Sequence, residues 1–145
     1  MTWTIEKTLK HALVYAEHLN RCDSRCVALA VLIELGIPTE CDGFNYLLQA
    51  IVLFYENPTR MFMKGIYPDV GQFYLPVVGV KQVEQSIRSV IRTAWKNRDN
   101  DVWSCYFQVD SNGMVLKPSN AEFISRIGYF LELWKGCCKE VSYAG

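Results

Sequence analysis

Between Val80 and Lys96 the chain carries a row of side chains suited to holding a polyanion. Lys81, Gln85, Arg88, Arg92 and Lys96 recur on one stripe of a helical pattern. Lysine and arginine neutralise phosphates whatever the base sequence. Arginine can also clamp a phosphate, or the O6 and N7 of guanine, in bidentate fashion. Lys81, Arg92 and Lys96 suit phosphate contacts, and Arg88, mid-helix, suits either role. Gln82 and Gln85 lie in the N-terminal part of the segment, the part that reaches base edges in helix-turn-helix proteins. A glutamine amide matches the N6 and N7 edge of adenine. Glu84 has two readings: it can accept from a cytosine amino group, or pair with Arg88 one turn on.

Other chemistries find less support. His18, Cys22 and Cys26 are spaced four apart, but Asp23-Ser24 breaks a continuous helix there. No C-x-x-C pair and no fourth ligand accompany them, so no metal site and no cofactor are expected. A Cys–His hydrolase needs a thiol beside an imidazole. The two histidines, His11 and His18, both fall on the first helical segment, and His11 reads as a surface or half-buried residue. No nucleophile elbow, phosphate loop or dinucleotide-type glycine run is present. An enzyme is not expected.

The basic stripe needs a helix to carry it and others to aim it. Val80, Val83, Ile87, Val90, Ile91, Ala94 and Trp95 form the apolar face opposite the cations. A shorter helical segment, Ile66–Tyr74, precedes it across the turn-like Leu75-Pro76-Val77-Val78-Gly79. Short helix, tight turn and long basic helix together read as a helix-turn-helix, whose second helix enters the major groove. Charge is distributed to match. The chain is neutral overall, yet residues 60–98 hold seven basic against two acidic residues, whereas residues 1–59 sum to −3 and residues 99–145 to −2.

The 145 residues, half of them apolar, suit one domain with its own core. The N-terminus has no signal-peptide pattern, and no run approaches a membrane span. A reduced, cytoplasmic setting is therefore expected, with the six cysteines as free thiols. A first helix is predicted over Thr4–Asn20, burying Ile5, Leu9, Ala12, Leu13, Ala16 and Leu19. A second, about 25–35, is capped by Asp23 or Ser24 and stopped by Gly36. A third runs about Phe44–Tyr55. A fourth starts at Asn57-Pro58 and reaches Lys64, followed by Gly65. Asn97–Asp101 reads as a polar break. Residues 102–116 read either as a short β-hairpin about Asp110–Gly113 or as an irregular loop. Ser119-Asn120-Ala121-Glu122 is a capping box opening a last helix over 120–134, which Gly136 ends, leaving 136–145 as a flexible tail.

Three blocks then resemble a known family. Leu32–Ile51, LIELGIPTECDGFNYLLQAI, is similar to the pattern ELGIP, then G-[YF]-x-YL-x-x-AI. Tyr67-Pro68-Asp69-Val70, leading into Val83–Arg88 and Ala94-Trp95, is similar to YPDIA … RVERAIRHAIEVAW. Lys117–Ile124 is similar to KPTNSEFI. Together they span about 25–133 and resemble the C-terminal effector domain of the sporulation-initiation response regulator, stage-zero sporulation protein A. The resemblance implies an all-helical domain of about six helices with residues 80–96 as recognition helix. It also implies binding to short guanine-containing promoter boxes, often as tandem copies. Gln82, Glu84, Gln85, Arg88 and Ser89 fall on the family's DNA-facing positions. Glu84 and Arg88 keep the family's residue type. Gln82 and Gln85 stand where the family has arginine, and Ser89 where it has histidine. About 24 residues precede the matching region, far fewer than the ~120 of a receiver domain, so phosphorelay control is not carried over.

The expectation is thus a mainly all-α, roughly six-helix bundle: a helical extension over 1–24, a helix-turn-helix domain over 25–135 and a tail. It would act as a DNA-binding transcriptional regulator on double-stranded DNA, as a homodimer or in tandem. The rival is an interaction module of the same fold, with weakened DNA binding, that modulates a related regulator.

Overall fold

In the computed structural model, which describes residues 5–57 and 63–144, one helix sits at the centre and the others pack around it. Seven helices are present among the described residues: α1 (Ile5–Leu19), α2 (Ser24–Glu34), α3 (Asp42–Glu56), α4 (Met63–Gly71), α5 (Val80–Lys96), α6 (Asn100–Trp103) and α7 (Asn120–Ala144). The hub is α3, where Phe44, Leu47, Ala50 and Ile51 are all buried. It packs against α2, α4, α5 and α7. A helix apolar on nearly every side has this place available to it and few others.

The local signals act where expected at several ends. The Asp23 carboxylate accepts from the Cys26 amide at 2.8 Å and caps α2. After α2, Gly36 takes the left-handed φ of +79° that residues with a Cβ rarely adopt. Between α4 and α5 the turn closes on itself, with the Val78 amide donating to the Gly71 carbonyl at 3.1 Å. A Cβ on residue 71 would lie 2.1 Å from the Val78 carbonyl oxygen, so this turn needs glycine there.

Four expectations are corrected. First, α1 is rotated relative to the predicted face. It buries Thr8, Ala12 and Ala16, while Ile5, Leu9 and Leu13 stay exposed. Small side chains allow a close approach to α7, and the Thr8 hydroxyl is satisfied by donating to the Cys105 carbonyl at 2.7 Å. Second, Gly65 lies inside α4 rather than before it, and α4 ends at Gly71 rather than at Tyr74. The predicted start of a helix at Asn57-Pro58 leads into residues 58–62, outside the described residues.

Third, the expected polar break runs into a short helix, α6, and of the two readings left open for residues 102–116 the irregular one holds. Asp99 caps α6 by accepting from the Asp101 and Val102 amides, and only a single bridge, Val109 to Val115, remains of the strand pairing. Trp103, Tyr106 and Phe107 go into the core, and that burial overrides the β-like composition. Fourth, α7 does not stop at Gly136. It continues to Ala144 and buries Cys137 and Cys138. That burial offsets the ~1 kcal/mol a glycine costs inside a helix.

A polar cluster ties α1 to the rest of the core. Both carboxylate oxygens of Glu34, at the end of α2, lie 3.1 Å from His11 Nε2. Glu34 also accepts from Tyr15 at 3.0 Å and from the Tyr106 hydroxyl. The His11 ring packs against Tyr106 and Phe130. Burial disfavours the charged imidazole, but hydrogen bonds to Cys105 and Glu34 outweigh it and raise the His11 pKa to about 9.

Candidate nucleic-acid interface

The apolar face of α5 fixes which side faces out. Val83, Ile87, Val90, Ile91 and Ala94 are buried against α3, α4 and α7. Lys81, Gln82, Gln85, Arg88, Ser89, Arg92 and Lys96 are all exposed, and Glu84 is half-buried at the edge. The predicted residues therefore share one outward surface. Gln85, Arg92 and Lys96 lie near its midline; Arg88 and Glu84 fall to one flank, Gln82 and Ser89 to the other.

Each flank borders a groove. On one side a cavity of about 400 Å³ lies between α5 and the start of α7, with Tyr67, Glu84, Arg88, Lys117, Ser119 and Asn120 among its lining residues. On the other, a cavity of about 360 Å³ is lined by Gln85, Ser86 and Ser89 of α5 and by Cys41 and Asp42 at the start of α3. Gly43 makes the second junction tight: a Cβ there would lie 2.4 Å from the Ser86 carbonyl oxygen. The start of α3 thus sits directly against the backbone of α5.

Arg88 Nη2 is paired with Glu84 Oε1 at 3.1 Å, with Arg88 exposed and Glu84 partly so. This is the plainer of the two readings of Glu84, and in water such a pair is worth only ~0.3–0.5 kcal/mol. It holds Arg88 loosely and can exchange for a phosphate or base. Arg98, counted in the basic segment, is committed elsewhere. Its guanidinium sits 4.3 Å from the Trp95 ring centroid and donates to the Trp95 carbonyl at 2.9 Å.

Sequence reasoning missed the residues that orient α5. Asn120, buried at the first position of α7, donates from its amide to the Tyr67 hydroxyl and to the Glu84 carbonyl, each at 3.1 Å. One side chain thereby joins α4, α5 and α7. Trp95 adds a second tie by donating to the Val115 carbonyl at 3.2 Å. Lys117 and Ser119 stand at the rim of the same groove. The signal available was the capping box itself: Ser119 does accept from the Glu122 amide at 3.1 Å, which frees Asn120 to reach across to α5. Away from this face, His18 Nδ1 contacts the Val14 carbonyl of its own helix at 2.9 Å, and Cys26 is exposed.

Comparison with known families gives a match over most of the chain. The model described as "Sporulation initiation factor Spo0A C terminal" covers residues 28–130, from within α2 into α7, well over half of the chain.

Proposed function

Since the chain belongs to the Spo0A C-terminal family, a family of DNA-binding, non-catalytic effector domains, we propose that it is a sequence-specific transcriptional regulator. It docks α5 in the major groove of double-stranded DNA. The carrying observation is that Lys81, Arg88, Arg92 and Lys96 all emerge on the exposed side of α5. Lys81, Arg92 and Lys96 hold phosphates. Arg88 exchanges Glu84 for a guanine edge or a phosphate. Gln82 and Gln85 supply amides where the resemblance leads one to expect arginines, which suits adenine better than guanine. Ser89 accepts or donates at either base. A cytoplasmic location goes with this role, and no helix among the described residues is long and apolar enough to cross a membrane.

A salt titration of binding to random duplex tests the reading. Four docked cations give a slope of log K against log salt of about −3.6. A flat response overturns it. Selection from a random duplex pool then shows which bases the two glutamines read.

The Glu84–Arg88 pair also favours a second reading, an interaction module of the same fold that modulates a related regulator. In that case Arg88 stays paired, and mixing with the relative, not with DNA, gives the complex.

A further inference from the structure

The outward face of α1 is unlike a solvated surface. Leu13 and Val14 at its middle are 39% and 50% exposed, and Leu9 is 46% exposed. Glu6, Lys10, Glu17 and Arg21 flank them, all exposed and none in an ion pair among the described residues. Positions 6, 10, 13/14, 17 and 21 fall on one side of the helix and its exit. The order along this stripe is negative, positive, two apolar residues, negative, positive.

That order is antisymmetric about the point between Leu13 and Val14. Reversing the chain direction sets Glu6 opposite Arg21, Lys10 opposite Glu17 and Leu13 opposite Val14. A parallel arrangement sets each charge opposite its like. We infer that a second copy of this chain docks here, α1 against α1 and antiparallel, about a two-fold axis between Leu13 and Val14. Such a contact is isologous, each side offering the same patch. Next to Val14 a groove of about 280 Å³ is lined by Val14, Tyr15, His18, Leu19 and Ala30. Charge complementarity sets the register, and the leucines supply the apolar burial.

The surface is distinct from the basic stripe, because α1 packs on α7 whereas α5 packs on α3, α4 and α7. The inference therefore stands or falls without DNA.

Sedimentation equilibrium of the full chain under reducing conditions, from low to high micromolar, is the test. A concentration-dependent dimer is expected. Lys10→Glu turns two symmetry-related pairs from unlike to like and should weaken dimerisation about ten-fold. Adding Glu17→Lys restores the cross-chain pairs and should recover it. Pairing within the helix predicts the reverse, since the double variant then sets like charges one turn apart, acidic at positions 6 and 10 and basic at positions 17 and 21. Leu13→Asp should give a monomer with unchanged far-ultraviolet circular dichroism. A monomer at all concentrations overturns the inference. So does a dimer indifferent to Lys10→Glu, or a double variant weaker than the single.

Discussion

Asn120 donates its side-chain amide to the backbone carbonyl of Glu84 at 3.1 Å. The first residue of α7 thus holds the exposed helix α5 by its main chain, independently of whatever side chains α5 displays. The same amide reaches the Tyr67 hydroxyl of α4, so the angle between the two helices of the helix-turn-helix is set from outside the motif.

Asn120→Ala leaves the buried Tyr67 hydroxyl without its donor and cuts the tie from α7 to the half-buried Glu84 carbonyl. A loss of ~1–3 kcal/mol is expected, read by urea unfolding. Affinity for DNA should fall further than stability, because α5 loses its fixed tilt. Wild-type unfolding in this variant would show that the amide does not hold α5.

Gly43→Ala should destabilise by ~1–3 kcal/mol. Its Cβ meets the Ser86 carbonyl oxygen at 2.4 Å, and backbone on both sides leaves little room to yield. Gly136→Ala should do the opposite. Gly136 lies within α7 with nothing within 4 Å of an added Cβ, so a gain of ~0.5–1 kcal/mol is expected. Chemical denaturation of the two variants side by side measures both signs.

Arg88→Ala should weaken duplex binding at least ten-fold while costing the fold only the ~0.3–0.5 kcal/mol of an exposed i, i+4 pair. Glu84→Gln releases Arg88 without moving it and should tighten non-specific binding. Fluorescence anisotropy against a random duplex, with thermal melts of each variant, separates the two effects.

The His11–Glu34 contact makes stability depend on pH in two directions. The His11 pKa is raised to about 9 in the folded chain, so its contribution is complete below the unfolded value of 6.5 and is lost as pH rises through 9. For Glu34, burial opposes ionisation, but hydrogen bonds from His11, Tyr106 and Tyr15 lower its pKa. Its contribution is therefore present above the usual 4.5 and lost as pH falls through the lowered value. Melting temperature should therefore be highest and flat between about pH 4.5 and 6.5, and should fall steadily from there to about pH 9. Glu34→Gln should flatten the alkaline side only in part, because Cys105 also raises the His11 pKa; His11→Gln should remove that slope, and an unchanged profile there would place the histidine outside the balance.

The bounds of the helix at 80–96 were legible, because its apolar spacing, its preceding turn and its cations agree with one another, although Val80, expected on the apolar face, is 42% exposed where the helix begins. The orientation of α1 was not. Periodicity favours the leucines, yet the contact with α7 selects Thr8, Ala12 and Ala16, a choice visible only once the partner helix is known. Residues 102–107 misled for a related reason: aromatic residues favour strands on average, but here they fill a core beside Phe123 and Phe130. Gly136 misled because a stop signal yields when residues beyond it have somewhere to go. The polar residues read as the outward stripe of α5 are all exposed or at its edge, whereas the parts that aim it were hidden: Asn120 showed only as part of a capping box, and Gly43 acts through a backbone contact that leaves no pattern in composition.

At 25 residues, α7 is a rod about 37 Å long. It holds α5 at its first residue and carries α1 beside Phe130, ten positions along, about 15 Å further down its axis. No hinge lies between the two attachment points. Two chains joined through α1 would then present their α5 helices at a fixed separation and phase. One base pair inserted between half-sites shifts the next groove by ~3.4 Å and about a tenth of a turn. With no joint to absorb that shift, spacing tolerance should be narrow, and the length of the gap would be read as strictly as the bases.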